Sequence, residues 1–181
     1  MPRPIEALIH TSALAHNLTR ARLSAPDTKV WAVVKANAYG HGIERAYDGL
    51  RGADGFALLD LNEAERIRAL GWRGPVLLLE GAFELRDLEL CSRLDLWHVV
   101  HCKEQIDWLA AHKTHAPHRV FLKMNSGMNR LGFAPDAYRS AWLAHAEGPA
   151  VIATRRGYRI VTLVGRSADG GHVHSKTGAE K

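Results

Sequence analysis

Apolar residues recur along most of the chain in short runs, and stretches with helical periodicity separate these runs. The run at 30–34 is apolar on both faces, which is typical of a parallel strand covered on each side. Repeated strand–helix units of this kind predict an α/β fold with a parallel sheet. Five units follow one another, with strands at 30–34, 56–59, 76–79, 96–100 and 120–124 and helices at 43–50, 62–70, 85–94, 104–112 and 135–145.

Two further predictions concern the start of the chain. A short strand is expected at 5–9, and a helix follows it with Thr11 or Ser12 as the N-terminal cap. An open doubly wound sheet and a (β/α)8 barrel both begin with units of this kind, and periodicity alone does not distinguish them.

The character of the chain changes after about residue 148. Residues 1–150 hold 18 Lys and Arg against 17 Asp and Glu, whereas residues 151–181 hold six basic and two acidic side chains. The net charge of +5 therefore belongs mainly to the tail. We predict two regions, 1–148 and 149–181, with one strand-like run at 158–164 and a loosely held end from 167 onward. The main body shows no basic patch or motif for nucleic acid.

Neither a membrane span nor a signal peptide is predicted, because no apolar run is long enough. The two cysteines, Cys91 and Cys102, make no disulfide framework and are expected to be buried free thiols. A cytoplasmic location follows as the expectation.

The most informative segment is W-A-V-V-K-A-N-A-Y-G-H-G at 31–42. Lys35 directly follows buried-type residues at the end of a strand, where parallel α/β folds place their ligands. Burial disfavours the ammonium form, so a neutral, nucleophilic amine that can form a Schiff base with a carbonyl cofactor is expected. The glycines allow close backbone approach. Tyr39 could direct its hydroxyl at a phosphate oxygen, and His41 could support that site.

A second segment, L-K-M-N-S-G-M-N-R-L-G-F at 122–133, begins at the end of the fifth predicted strand, 120–124. Both segments resemble those of the pyridoxal-phosphate (PLP) dependent alanine racemases, and the resemblance extends over the linking residues to about residue 148. Asn125 and Ser126 stand where many members have aspartate and threonine.

The resemblance implies a partial TIM-like (β/α)8 barrel and assigns roles to individual residues. Lys35 would carry PLP and act as acid–base on one face of the substrate. Tyr39 would bind the phosphate, while Arg130 would contact the phenolic oxygen of PLP and the substrate carboxylate. The backbone N–H of Met128 would face that carboxylate, and Lys123 matches a lysine that is carbamylated in some members.

The implied reaction is the interconversion of L-alanine and D-alanine, which supplies D-alanine for peptidoglycan or serves alanine catabolism. Family members are homodimers, and a tyrosine from the partner's C-terminal β-domain serves the opposite face. We expect that β-domain to be absent here and the chain to be truncated or frame-disrupted, with five strands that leave an exposed edge. Weak or absent activity of the isolated chain would follow.

Two other functions stay open. One is a non-catalytic PLP-binding barrel protein, and the other is a fold-related PLP decarboxylase for basic amino acids. No metal is assigned: the run of His112, His115 and His118 is interpreted as a solvated helix end, because Pro117 breaks its register. The five tryptophans are expected to pack between helices and sheet.

Overall fold

The computed structural model describes residues 6–112, 118–145, 150–152, 158–163 and 173–175. The helices are α1 Thr11–Ser24, α2 Lys35–Tyr39, α3 Ile43–Leu50, α4 Leu61–Ala69, α5 Asp87–Arg93, α6 Lys103–Ala111 and α7 Pro135–His145. The strands are β1 Lys29–Val33, β2 Gly55–Leu58, β3 Val76–Leu78, β4 Trp97–Val100, β5 His118–Leu122, β6 Ala150–Ile152, β7 Tyr158–Leu163 and β8 Val173–Ser175.

All eight strands join one sheet in the order β6-β5-β4-β3-β2-β1-β7-β8. Every neighbouring pair from β6 to β7 is parallel, and only β7 and β8 pair antiparallel. Sequential parallel strands joined by helices confirm the predicted α/β class. Among the described residues, no helix combines the length and the apolar character that crossing a membrane requires.

The sheet is curled rather than flat. In a flat sheet, β1 and β5 would stand about 19 Å apart, because strands are spaced by about 4.8 Å. Yet the rings of Trp31 on β1 and Phe121 on β5 have centroids 6.5 Å apart, and Trp97 on β4 lies 5.5 Å from Trp31. Gly55 makes room for this contact, since a Cβ there would lie 2.6 Å from Cε3 of Trp31. The curl favours a barrel over an open sheet.

The two faces of the sheet have different neighbours, as a barrel requires. One face forms the inner cluster, which contains five buried residues from the strands: Trp31, Val33, Ala57, Leu77 and Val99. The alternate strand residues face outward and pack with buried residues of α1, α3, α4 and α5. Helices therefore cover only one face, whereas a doubly wound sheet carries helices on both. These observations confirm a partial TIM-like barrel.

The predicted strand at 5–9 is wrong for residues 6–9, which form no strand. Both edges of β1 are already occupied, by β2 and by β7, so this segment has no partner there. The predicted cap is also wrong, because α1 begins at Thr11 and its cap position, His10, makes no side-chain capping bond.

The tail differs from the expectation of an exposed edge and a loosely held end. The strand expected at 158–164 is confirmed as β7, and it pairs with β1, while β6 pairs with β5. Both edges of the five-stranded set thus carry another strand. Residues 173–175 add β8 to β7, so the end of the chain is not wholly irregular.

Three smaller expectations need correction. Trp31 and Trp97 pack on the inner face of the sheet and not beneath the helices. His118 is 6% exposed rather than solvated, and its ring packs against the buried His98; His115 lies outside the described residues. Cys91 is buried as expected, whereas Cys102 is only half-buried.

Candidate active site

Lys35 lies immediately beyond β1, at the carboxyl end of the sheet. Trp31 and Val33 of β1 point inward by strand alternation, and Lys35 follows them at the start of the next turn. Its side chain is half-buried. Tyr39, four residues later, is also half-buried and packs against the inner cluster. The structure therefore brings these two predicted site residues together at one end of β1.

The backbone between them forms one turn of left-handed helix. Four consecutive residues, 36–39, have φ between 52° and 54°. The turn has its own hydrogen bonds, since Ala38 N donates to Val34 O at 2.8 Å and Gly40 N donates to Ala36 O at 3.0 Å. Gly40 and Gly42 follow with φ of 85° and 87°. The glycines of the motif therefore lead the chain out of this turn into α3.

Such a turn is strained for residues other than glycine. The left-handed conformation costs roughly 1–2 kcal/mol per L-residue, because Cβ crowds the following carbonyl oxygen. Four residues then cost on the order of 4–8 kcal/mol. Strain of this size persists only where the surroundings over-determine it, and such places are concentrated at functional sites.

The surroundings of the turn supply these constraints from two helices. Asn37 N donates to Glu63 Oε1 of α4 at 2.7 Å, and Asn37 Oδ1 accepts from Ile43 N at 3.2 Å and from Arg66 Nη2 at 2.8 Å. Arg66 also donates two hydrogen bonds of 2.7 Å to Glu44 of α3, from Nε to Oε1 and from Nη2 to Oε2. We call Asn37, Glu44, Glu63 and Arg66 the turn brace.

The charges of the brace reinforce each other. The hydrogen bond from Arg66 lowers the pKa of Glu44 to about 2, so this carboxylate stays ionised at any ordinary pH. The same bond raises the pKa of Arg66, and the nearby charge of Glu63 contributes to that increase. Glu63 is 8% exposed, and its Oε2 has no hydrogen-bond partner among the described residues.

The second predicted segment forms a loop after β5 at the same end of the sheet. Phe133 N donates to Lys123 O at 2.9 Å, and Asn125 N donates to Phe133 O at 2.8 Å, which closes the loop. Inside it, Asn125 Oδ1 accepts from Gly127 N at 3.1 Å and from Asn129 N at 3.0 Å. The Asn125 side chain therefore orders the loop from within it.

The remaining predicted residues lie in this loop. Lys123 is half-buried and continues the inward series of β5 after Phe121. The side chain of Arg130 is exposed, and that of Met128 is 59% exposed. Because β1 and β5 approach across the interior, the turn after β1 and this loop border the same opening.

The donor set suits an aldehyde cofactor that carries a phosphate. Lys35 offers an amine, Tyr39 a hydroxyl, Lys123 a second amine and Arg130 a guanidinium. All can donate hydrogen bonds to anionic oxygens, and one of the amines is a potential nucleophile. The residues present therefore fit pyridoxal phosphate. His41 is not counted among these donors, because its Nδ1 lies 2.7 Å from Ala38 O of the turn.

Sequence reasoning missed Glu63 and Arg66. Asp60 and Glu63 have the spacing of a capping box, in which Glu63 would return to the start of α4. Asp60 does cap the helix, accepting from Asn62 N at 2.7 Å. Glu63 reaches instead to Asn37, 26 positions earlier. No local signal identifies such a long-range acceptor, because the left-handed turn that it serves is not visible in the sequence.

Comparison with known proteins gives a consistent result. The family described as alanine racemase, N-terminal domain, matches residues 9–156. The alanine racemase of Paracidovorax citrulli is 82% identical over 142 residues, which cover 78% of this chain and 38% of that protein. The chain thus spans well under half the length of this relative.

Solved structures agree. The biosynthetic alanine racemase from Pseudomonas aeruginosa has a TM-score of 0.75 and 40% identity, covering 84% of this chain and 42% of that one. The alanine racemase from Acinetobacter baumannii has a TM-score of 0.74 and 33% identity, covering 80% of this chain and 44% of that one. On the sequence match and the shared fold, this chain belongs to the alanine racemase N-terminal domain family.

Proposed function

We propose that this chain provides the cofactor-lysine part of a PLP-dependent alanine racemase, which interconverts L-alanine and D-alanine. One observation carries the proposal: the half-buried Lys35 stands at the carboxyl end of β1 and directly precedes a strained, left-handed turn. A surface lysine would need no such backbone. The product D-alanine would serve peptidoglycan synthesis or alanine catabolism.

Each site residue has a proposed task. The Lys35 amine would hold the cofactor covalently, and it would carry a proton to or from the substrate Cα. Arg130 and the backbone N–H of Met128 hold the substrate carboxylate. Tyr39 holds the phosphate, and Lys123 orients Arg130. When bound, pyridoxal phosphate would delocalise the negative charge left at Cα.

Racemisation needs proton transfer on both faces of Cα. We assign Lys35 to one face, and by family resemblance the other belongs to a tyrosine of a partner's C-terminal domain. Residues 1–148 form the cofactor-binding part in this proposal, and 149–181 form a basic segment whose strands β6 and β7 extend the same sheet. The 181-residue chain by itself should therefore exchange the Cα proton on one face more readily than it racemises alanine. The free thiols Cys91 and Cys102 are compatible with the cytoplasm.

The test is hydrogen exchange at the substrate. The purified chain with PLP is incubated with L-alanine or D-alanine in D2O, and Cα deuteration and chirality are measured separately. We expect PLP-dependent deuteration of at least one enantiomer, with slower inversion. Lys35→Ala should abolish deuteration above the rate with free PLP.

Lys29→Ala is the matched control, because Lys29 lies at the opposite end of β1 and its Nζ pairs with Asp54 at 3.5 Å. This variant should behave as the parent chain. If PLP is bound but neither enantiomer is deuterated, the chain is a non-catalytic PLP-binding barrel and the racemase proposal is refuted.

A further inference from the structure

The turn brace joins the turn after β1 to two helices, α3 and α4. Asn37 is its centre, because its backbone N–H and its side-chain oxygen are both engaged from outside the turn. The internal bonds of the turn are those of an ordinary helical turn, so they do not explain why the left-handed form is chosen. The hydrogen bonds of the turn brace favour the left-handed form over the right-handed one.

Glu63 holds the key position in this brace. Its Oε1 accepts from Asn37 N at 2.7 Å, and it is one of the few charged side chains buried in the described part of the chain. In a right-handed helical turn, the N–H of Asn37 would be directed differently. The bond from Asn37 N to Glu63 is thus specific to the strained backbone.

The charge of Glu63 has a cost that a neutral acceptor would avoid. A glutamine could accept the same N–H bond without placing a carboxylate in a buried position. Glu63 also leaves Oε2 without a partner among the described residues. A charge-assisted bond is shorter and stronger than a neutral one, which offsets this cost where a strained backbone must be held.

Arg66 ties the turn to the two helices of the brace. Its Nη2 bonds both Asn37 Oδ1 and Glu44 Oε2, so one guanidinium links the turn, α3 and α4. Its charge also interacts with Glu63. The planar fork of arginine allows these simultaneous bonds, whereas a lysine amine would make them poorly.

We propose that Glu63 and Arg66 are positioning residues for the cofactor lysine: they fix the left-handed turn, and through it they aim the Lys35 amine and the Tyr39 hydroxyl at the site opening. The inference rests on the proposed function in taking Lys35 as the cofactor lysine. Glu63 acts through Asn37 N–H and touches no reacting atom.

The test compares Glu63→Gln with the parent chain. The variant keeps an acceptor and nearly the same shape but removes the charge. Amide hydrogen exchange is followed for the peptide that covers residues 36–42. Covalent capture of PLP is followed by borohydride reduction and quantitation of the pyridoxyl group on Lys35 at a series of PLP concentrations.

We expect amide exchange in the turn to accelerate about 10-fold, because the variant replaces a charge-assisted hydrogen bond with a neutral one that is about half as strong. The PLP concentration for half-maximal capture should rise about 10-fold. Arg66→Lys should shift both readouts in the same direction by less. Far-ultraviolet circular dichroism and exchange in β2 and β3 should match the parent chain.

Glu65→Gln is the matched control, because Glu65 lies on the same helix, is exposed and pairs only loosely with Arg93 at 3.5 Å. Both readouts should be unchanged in it. If Glu63→Gln leaves capture on Lys35 unchanged, whether or not turn exchange rises, the positioning role is refuted. If the parent chain itself captures no PLP on Lys35, the proposed function fails instead, and that result is recognised without any variant.

Discussion

The two loops that border the site opening are held in different ways. The turn after β1 is fixed from outside, by Glu63 and Arg66 of a neighbouring helix. The loop after β5 is held from within, by Asn125 bonding Gly127 and Asn129. The first holds four consecutive non-glycine residues in the left-handed region and is braced, whereas the second is exposed and holds one such residue, Asn129, with a φ of 55°.

This difference matches the proposed tasks of the two loops. A lysine that forms a covalent bond must present its amine at one place, because small misplacements reduce reaction rates strongly. An arginine that captures a carboxylate can adjust when the ligand arrives, and Arg130 is exposed. Long-range charged bonds therefore stabilise the reacting loop, while local bonds suffice for the capturing loop.

The largest predicted effect is at Ala38. Its side chain is 5% exposed and its φ is 54°, so Ala38→Val places a β-branched side chain in a left-handed, tightly packed position. We expect a loss of about 2–4 kcal/mol in the free energy of unfolding. Urea unfolding measures it.

Ser126→Val in the other loop is the comparison, because Ser126 is exposed and not in the left-handed region. Its effect should stay within about 0.5 kcal/mol. Equal losses for the two variants would show that the turn is no more constrained than the loop.

The second largest predicted effect is a difference in how the two loops respond to acid. Burial lowers the pKa of His98 to about 3, and burial together with His112 lowers that of His118. The unfolded chain therefore binds protons below pH 6.5 that the folded chain does not. Stability present above pH 6.5 is lost as pH falls toward 3, at up to about 1.4 kcal/mol per pH unit for His98.

His98 lies on β4 and His118 on β5, the strand that leads into the loop with Arg130. The turn brace should persist in the same range, because the pKa of Glu44 is about 2. Amide exchange between pH 7 and pH 5, corrected for intrinsic rates, should rise in β4 and β5 more than in the turn. His98→Leu should reduce the pH dependence, and an unchanged dependence would contradict this account.

The smallest effect concerns Asn125. Asn125→Ala removes the acceptor for Gly127 N and Asn129 N, and both groups lie where water can replace it. We expect about 1 kcal/mol of destabilisation and faster amide exchange limited to residues 125–133. Asn125→Asp keeps the acceptor and should stay within about 0.5 kcal/mol. Faster exchange in the turn after β1 would show that the loops are coupled.

Sequence reasoning succeeded where the pattern is local. The helices at 43–50 and 135–145 are confirmed at their predicted bounds, because their apolar spacing and end signals agree. The five strands are confirmed within two residues or so at their ends. The lysine motif was recognised because its spacing is specific, although its left-handed backbone was not foreseen from residues that usually form right-handed helix.

The sequence predictions that were wrong or incomplete concern features that depend on contacts between distant parts of the chain. The strand at 5–9 has suitable residues but no partner on β1. Trp31 and Trp97 face inward because the sheet curls, which no local pattern reveals. Glu63 resembles an ordinary capping residue until its partner, 26 positions away, is known.

The central claim, that Lys35 is the residue that holds the cofactor, has one direct measurement. The chain is mixed with a small excess of PLP, reduced with borohydride and digested, and every lysine is scored for a pyridoxyl group by mass spectrometry. The account predicts the label on Lys35, its loss in Lys35→Ala and its retention on Lys35 in Lys29→Ala. Label spread evenly over the exposed lysines, or undiminished total label in Lys35→Ala, would contradict it.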